Sequence, residues 1–104
     1  MYIPLKKTEE IVMGSLQGYV VANYKTLVTL FGNSGCYDSY KSDAEWILIT
    51  PYGIATIYNY KDGKNYCGKY GTPKTKITDW HIGGNDTNVV PFIRSVIEAY
   101  ELNR

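Results

Sequence analysis

The sequence predicts an α+β domain: a mainly antiparallel sheet of about four strands, packed on one face by a short helix and a C-terminal helix. Three observations carry this. Short segments rich in Val, Ile, Thr, Tyr and Trp recur around 15–22, 44–60 and 77–82, with side chains alternating between two faces. Two other segments, near 24–31 and 89–100, repeat apolar residues at helical spacing. Pro51-Tyr52-Gly53 joins two of the strands as a hairpin turn, which makes those neighbours antiparallel.

Taken in order, residues 1–10 read as a ragged lead-in, because Pro4 and Lys6-Lys7 give no period. Ile11 to Met13 could begin a strand, with a turn at Gly14-Ser15. Gly18-Tyr19-Val20-Val21-Ala22 is β-branched and aromatic and places a strand over 15–22. Asn23 then suits a helix N-cap. Tyr24, Leu27, Val28 and Phe31 form one stripe, and Gly32 stands where a left-handed residue closes a helix. A helix of two turns is not stable alone and must pack its Leu27/Phe31 side on something.

Residues 33–43 form a polar loop that nevertheless carries Tyr37 and Tyr40. Residues 44–50 are the clearest strand, with Trp46 and Leu48 on one side and Ile47 and Ile49 on the other, so both faces are covered at least in part. On the returning arm, Ile54, Thr56, Tyr58 and Tyr60 share one face, and Ala55, Ile57 and Asn59 the other. Residues 61–76 are polar and lysine-rich, with a turn signal at Asp62-Gly63. The last strand is expected over 77–82, followed by a corner at Gly83-Gly84. Val89, Phe92, Ile93, Val96, Ile97 and Tyr100 then mark a helix running to about Leu102. Asp86, Thr87 or Asn88 can cap it, and Pro91 falls in its first turn, where a missing N–H is harmless. The expected core is Val20, Leu27, Phe31, Trp46, Leu48, Ile57, Trp80, Ile82, Phe92, Val96 and Ile97.

The 104 residues suit one domain, 1–104, with room for one core. Hydrophobic content of 44% and charged content of 20% describe a globular chain, not a disordered one. A net charge of +1 gives no field that argues for nucleic acid or an anionic membrane. No apolar run approaches the roughly 20 residues that span a bilayer. Nothing in 1–10 resembles the apolar heart of an export signal.

Tyrosine is over-used, with 11 Tyr against 2 Phe and 2 Trp. Tyrosines serve binding surfaces, because they offer area at low entropic cost plus a hydroxyl. They equally flank strands half-buried on a sheet. Tyr37 and Tyr40 in their loop fit either reading. Lys61, Lys64, Lys69, Lys74 and Lys76 interleaved with Tyr66 and Tyr70 could hold single-stranded nucleic acid, or could simply form a solvated loop.

Catalytic chemistry has little to build on. His81 is the only histidine, and Cys36 and Cys67 the only cysteines. Neither cysteine sits in a CxxC pair, so a zinc site is not expected, and two free thiols are favoured over a disulfide. Cys36 or Cys67 could approach His81, but no nucleophile elbow accompanies them. Asp43 with Glu45, and Asp79 with Asp86, read as surface or capping carboxylates. Gly83-Gly84 before a helix suggests an anion cradle, although its spacing matches neither phosphate-loop pattern and Asp86 would repel an anion.

Several motifs follow one another in order: Phe31-Gly32, Ala44-Glu45-Trp46 with Ile47 and Ile49, Ala55-Thr56-Ile57-Tyr58-Asn59-Tyr60-Lys61, and Trp80-His81-Ile82-Gly83-Gly84. Together they resemble a family of small proteins from phages and prophages. The likeness covers most of the chain from Tyr24 onward, and its last motif is the most specific. The chain departs from the pattern at Asn33-Ser34, where the family would place a proline. The resemblance brings no reaction and no cofactor with it. It implies a viral accessory context, and small phage proteins without a catalytic signature often act by binding. With no export signal and no spanning run in the sequence, the expected location is the host-cell cytoplasm.

The expectation is therefore a non-enzymatic inhibitor of a host protein, an antiviral defence factor, with a homo-oligomer possible where a sheet edge stays open. The expected contact residues are Tyr37, Tyr40, Tyr58, Tyr60, Lys61, His81, Gly83 and Gly84. One alternative is a sponge for a small anionic or nucleotide ligand, held by Lys61, Tyr58, His81 and the Gly83-Gly84 amides. Another is a small enzyme using His81.

Overall fold

The computed structural model describes residues 2–5, 14–35 and 40–103. The expected α+β architecture is what it shows. Four strands of six or seven residues form the sheet: β2 (Ser15–Val21), β3 (Glu45–Thr50), β4 (Gly53–Tyr58) and β5 (Asp79–Gly84). A three-residue strand, β1 (Ile3–Leu5), adds a fifth. The order is β1-β3-β4-β5-β2, and every neighbouring pair is antiparallel. The helices are α1 (Tyr24–Phe31), the four-residue α2 (Lys64–Cys67) and α3 (Val89–Asn103).

Three elements differ from the sequence reading. The lead-in is partly structured, since Ile3, Pro4 and Leu5 pair with Ile49, Leu48 and Ile47. Three residues are too few to show a period, and Pro4 is tolerated because β1 is an edge. The segment over 61–76, where the turn signal at Asp62-Gly63 could mark a hairpin tip, is helical instead: α2 and two short 3-10 turns (Gly68–Tyr70, Lys74–Lys76) occupy it, tied by a bridge between Gly63 and Thr72. Gly83 and Gly84 are not a corner but the last residues of β5. The possible strand at Ile11–Met13 lies outside the described residues.

One sheet face carries the helices. Trp46 pairs with Ile57 and Leu48 with Ala55. Ile57 pairs with Ile82, and Val20 with Trp80, so all of these side chains point to the same side. Leu27 and Phe31 of α1 and Val89, Val90, Ile93 and Ile97 of α3 close over them. Phe92 and Val96, expected in the core, are only half-buried, because α3 is rotated to aim Val89, Ile93 and Ile97 inward. Phe92 instead stands edge-on to Tyr52 at 6.1 Å. Asn23 occupies the N-cap of α1 with extended backbone, but its side chain makes no capping bond. Gly32 ends α1 with φ 91° and ψ −170°, outside the left-handed helical region expected for it but in a conformation that only glycine adopts readily.

Candidate functional site

Alternation puts a second set of side chains on the other face. Tyr58 and Tyr19 both lie opposite His81, from β4 and β2. A bulge between Leu16 and Gly18 resets the alternation, so Leu16 and Tyr19 both project to this side. Ile47 and Thr56 are buried there, while Leu16, Tyr19, Val21 and Ile49 stay exposed.

His81 sits among three tyrosines. Its ring centroid is 4.9 Å from Tyr19, edge-on, and 5.4 Å from both Tyr58 and Tyr60. Burial beside these rings lowers the His81 pKa below 6.5, against an opposing pull from the Asp62 carboxylate. Burial, helped by the Glu45 charge, raises the Tyr58 hydroxyl above its ordinary value.

The cluster continues past the end of β4. The Lys61 ammonium lies 5.2 Å from the Tyr60 ring and 5.3 Å from the Tyr66 ring. Such distances are those of cation–π contact. Tyr66 in turn meets Tyr40 edge-on at 5.1 Å. Tyr19, His81, Tyr58, Tyr60, Lys61, Tyr66 and Tyr40 therefore form one continuous strip.

The strip is held from beneath by Asn59, whose side chain is fully buried. Asn59 Oδ1 accepts the backbone N–H groups of Asp43 and Ala44 at 2.7 and 3.0 Å. Its Nδ2 donates to the carboxylates of Asp43 and Asp62, both at 3.0 Å. Its carbonyl accepts the Ser42 hydroxyl at 2.7 Å. The second Asp43 oxygen accepts Asn65 N–H, and Asn65 Nδ2 donates to Ser42 O. One amide thus ties the segment bearing Tyr40 to the segment bearing Tyr60, Lys61 and Tyr66.

Lys61 is the one non-glycine residue with positive φ among the described residues, at 61°. That conformation is uncommon for a long side chain and persists where neighbours enforce it. Here Lys61 N–H donates to Lys41 O at 2.7 Å, and the Cys67 thiol donates to Lys61 O at 3.2 Å. The same turn aims the ammonium between the two rings.

The structure brings together Tyr40, Tyr58, Tyr60, Lys61 and His81 of the expected residues. Tyr37 lies outside the described residues, as does Cys36. Gly83 and Gly84 have a different role from the one expected. Each is paired on both sides, Gly83 with Leu16 and Thr56, and Gly84 with Ser15 and Ala55. A Cβ on Gly83 would stand 2.5 Å from Thr56 Oγ1, and one on Gly84 2.9 Å from the Ile54 carbonyl. They are glycines because strands crowd them, and they belong to the sheet rather than to an anion cradle. Cys67 is exposed and its thiol donates to Lys61 O, and among the described residues the rings around the imidazole are those of Tyr19, Tyr58 and Tyr60. Among the described residues no three His, Cys, Asp or Glu side chains gather as metal ligands. No helix among them is long and apolar enough to cross a membrane.

Sequence reasoning missed Tyr19 and Asn59, and weighed Tyr66 only within the lysine-rich segment as a possible single-strand contact. Tyr19 joins only through the β2–β5 register, which no local pattern reveals. Asn59 did leave a signal, a polar residue on the apolar side of its strand with Ala55 and Ile57.

The lowered His81 pKa makes a pH prediction. Between that pKa and about 6.5 the unfolded chain binds more protons at this site than the folded one. Stability from this group is therefore complete above the unfolded value and declines as pH falls. Thermal melts between neutral pH and pH ~5.5 should show a decline that His81→Gln flattens. Parallel slopes for both proteins would show that His81 does not report on folding.

The chain matches no family model, no curated protein and no solved structure.

Proposed function

We propose that this protein acts by binding, as a phage or prophage accessory protein that inhibits a host antiviral defence factor through the strip from Tyr19 to Tyr40. The observation that carries the reading is the Lys61 turn. An uncommon backbone conformation, two hydrogen bonds at Lys61 and a nearby buried amide hold the turn that places one cation between two aromatic rings. Rigid aromatic anchors beside a fixed charge suit recognition, since little entropy is lost when they are covered. The resemblance to phage and prophage proteins supports the host-directed role. The ammonium between Tyr60 and Tyr66 also favours a second reading, in which the occupant is a small anionic or nucleotide ligand.

Two measurements test this. Immobilised wild-type protein should retain a bacterial host protein that Tyr60→Ala and Lys61→Ala release. With that partner purified, Tyr60→Ala should weaken affinity by about 30-fold, the effect of an aromatic hot spot. Undiminished binding by both variants would remove the strip from the interface. Native mass spectrometry of the protein alone separates the second reading: added mass of a small molecule, lost in Lys61→Ala, would replace the protein partner by a ligand.

A further inference from the structure

We propose that two copies of this chain join edge to edge along β2, about a two-fold axis at Val20, with Arg94 of each copy facing Glu98 of the other.

β2 is an outer strand of the sheet. Ala22 N–H donates to Thr78 O at 2.9 Å, so the bonded positions of the β2–β5 ladder are Gly18, Val20 and Ala22. Tyr19 and Val21 therefore direct their N–H and C=O groups outward. The residues of this edge are apolar and exposed: Val21 is 74% exposed and Tyr19 54%. An exposed apolar edge of this length invites another strand.

Beside the edge runs a groove of about 520 Å³, lined by Tyr19, Val21, Arg94, Ile97 and Glu98. α3 runs in the same direction as β2 along it. Val90 packs at Gly18, Arg94 reaches Tyr19, and Glu101 accepts the Thr26 hydroxyl at 3.0 Å. Positive charge thus lies at the Tyr19 end and negative charge toward the Val21 end. A two-fold axis reverses that order in the second copy. Centred on Val20, it pairs Tyr19 with Val21 of the second copy, matching the outward groups, and sets Arg94 against Glu98 of the second copy.

Arg94 at present occupies the edge. Its Nε and Nη2 both donate to the Tyr19 carbonyl, at 3.0 and 2.7 Å. Pairing turns the guanidinium to Glu98 of the second copy and yields that carbonyl to Val21 N–H of the second copy. Arg94 is then a place-holder that satisfies the edge acceptor until a strand arrives. Because Tyr19 also ends the aromatic strip, pairing brings the two strips together across the seam.

The mass in solution decides this, by light scattering and native mass spectrometry at tens of micromolar. Wild type should be a dimer. Arg94→Glu and Glu98→Arg alone should each give monomers, and the double variant should recover the dimer. Both positions are exposed on α3, so circular dichroism should show all three folded. Val21→Pro, which deletes the outward N–H, should be monomeric even with both charges intact. A wild-type monomer overturns the proposal and leaves the edge for an extended segment of another protein. A dimer indifferent to both single charge reversals overturns it as well. Neither outcome depends on whether the strip binds a host factor.

Discussion

Trp80→Ala should lower the unfolding free energy by about 3–5 kcal/mol, the range for removing a large buried aromatic. Trp80 is 1% exposed and sits in the middle of the helix-bearing face. Its indole N–H donates to the Ala22 carbonyl at 2.9 Å, just past the end of β2. Its ring stands edge-on to Trp46 at 5.3 Å, and Trp46 in turn donates to the Gly32 carbonyl at 2.8 Å. The two indoles thus bind both ends of α1 to the sheet while filling the space beneath it. The alanine variant loses the volume, the ring contact and the partner of a buried carbonyl. Urea titration followed by circular dichroism measures the loss. Tyr70→Ala, at a residue 86% exposed, should stay within about 0.5 kcal/mol of wild type. A Trp80→Ala loss below about 1 kcal/mol would contradict the packing described.

Asn59→Ala should cost about 2–4 kcal/mol, as several hydrogen-bonded groups at the base of the strip lose their partner together. Asn59→Asp distinguishes this network from simple packing. It keeps the shape but sets a third carboxyl against those of Asp43 and Asp62, where two donated bonds stood. Burial and like charge would raise the folded pKa of the introduced carboxyl above its unfolded value near 3.9. A group raised in this way leaves stability intact below the unfolded value and removes it as pH climbs through the folded one. The Asn59→Asp deficit should therefore be large at neutral pH and shrink toward pH ~4. A deficit that does not change with pH would mean that the carboxyls are not in contact. Either variant should also broaden the resonances of Tyr40 and Lys61, which a purely local loss of packing at β4 would leave sharp.

Much of this architecture is legible in the residues. α1 is marked by Tyr24, Leu27, Phe31 and Gly32 because both its stripe and its stop are local. The β3–β4 hairpin is legible for the same reason, with the turn at Pro51-Tyr52-Gly53 between two alternating arms. What the residues do not show is pairing over distance. Gly83-Gly84 reads as a corner because consecutive glycines usually relax the backbone. Only the approach of Thr56 and Ile54 from β4 explains them as strand residues. The candidate site divides in the same way. Tyr58, Tyr60 and Lys61 lie on one arm and His81 was available as a lone imidazole, so these were readable. Tyr19 and Tyr66 enter through a strand register and a four-residue helix, and neither leaves a periodic trace.

The strand order has a kinetic consequence. β3 and β4 are joined by a tight turn and can close in microseconds once their side chains meet. β2 cannot be completed so early, because its partner β5 begins at Asp79, far along the chain from Val21. Closing so long a loop loses entropy before any contact rewards it. Folding is therefore expected to start from the central hairpin and to end when β2 docks, at a rate typical of sheets made from distant segments, milliseconds or slower. Until that last step the apolar residues of β2 have no neighbour on either side, and a newly made chain is most prone to associate wrongly during this interval.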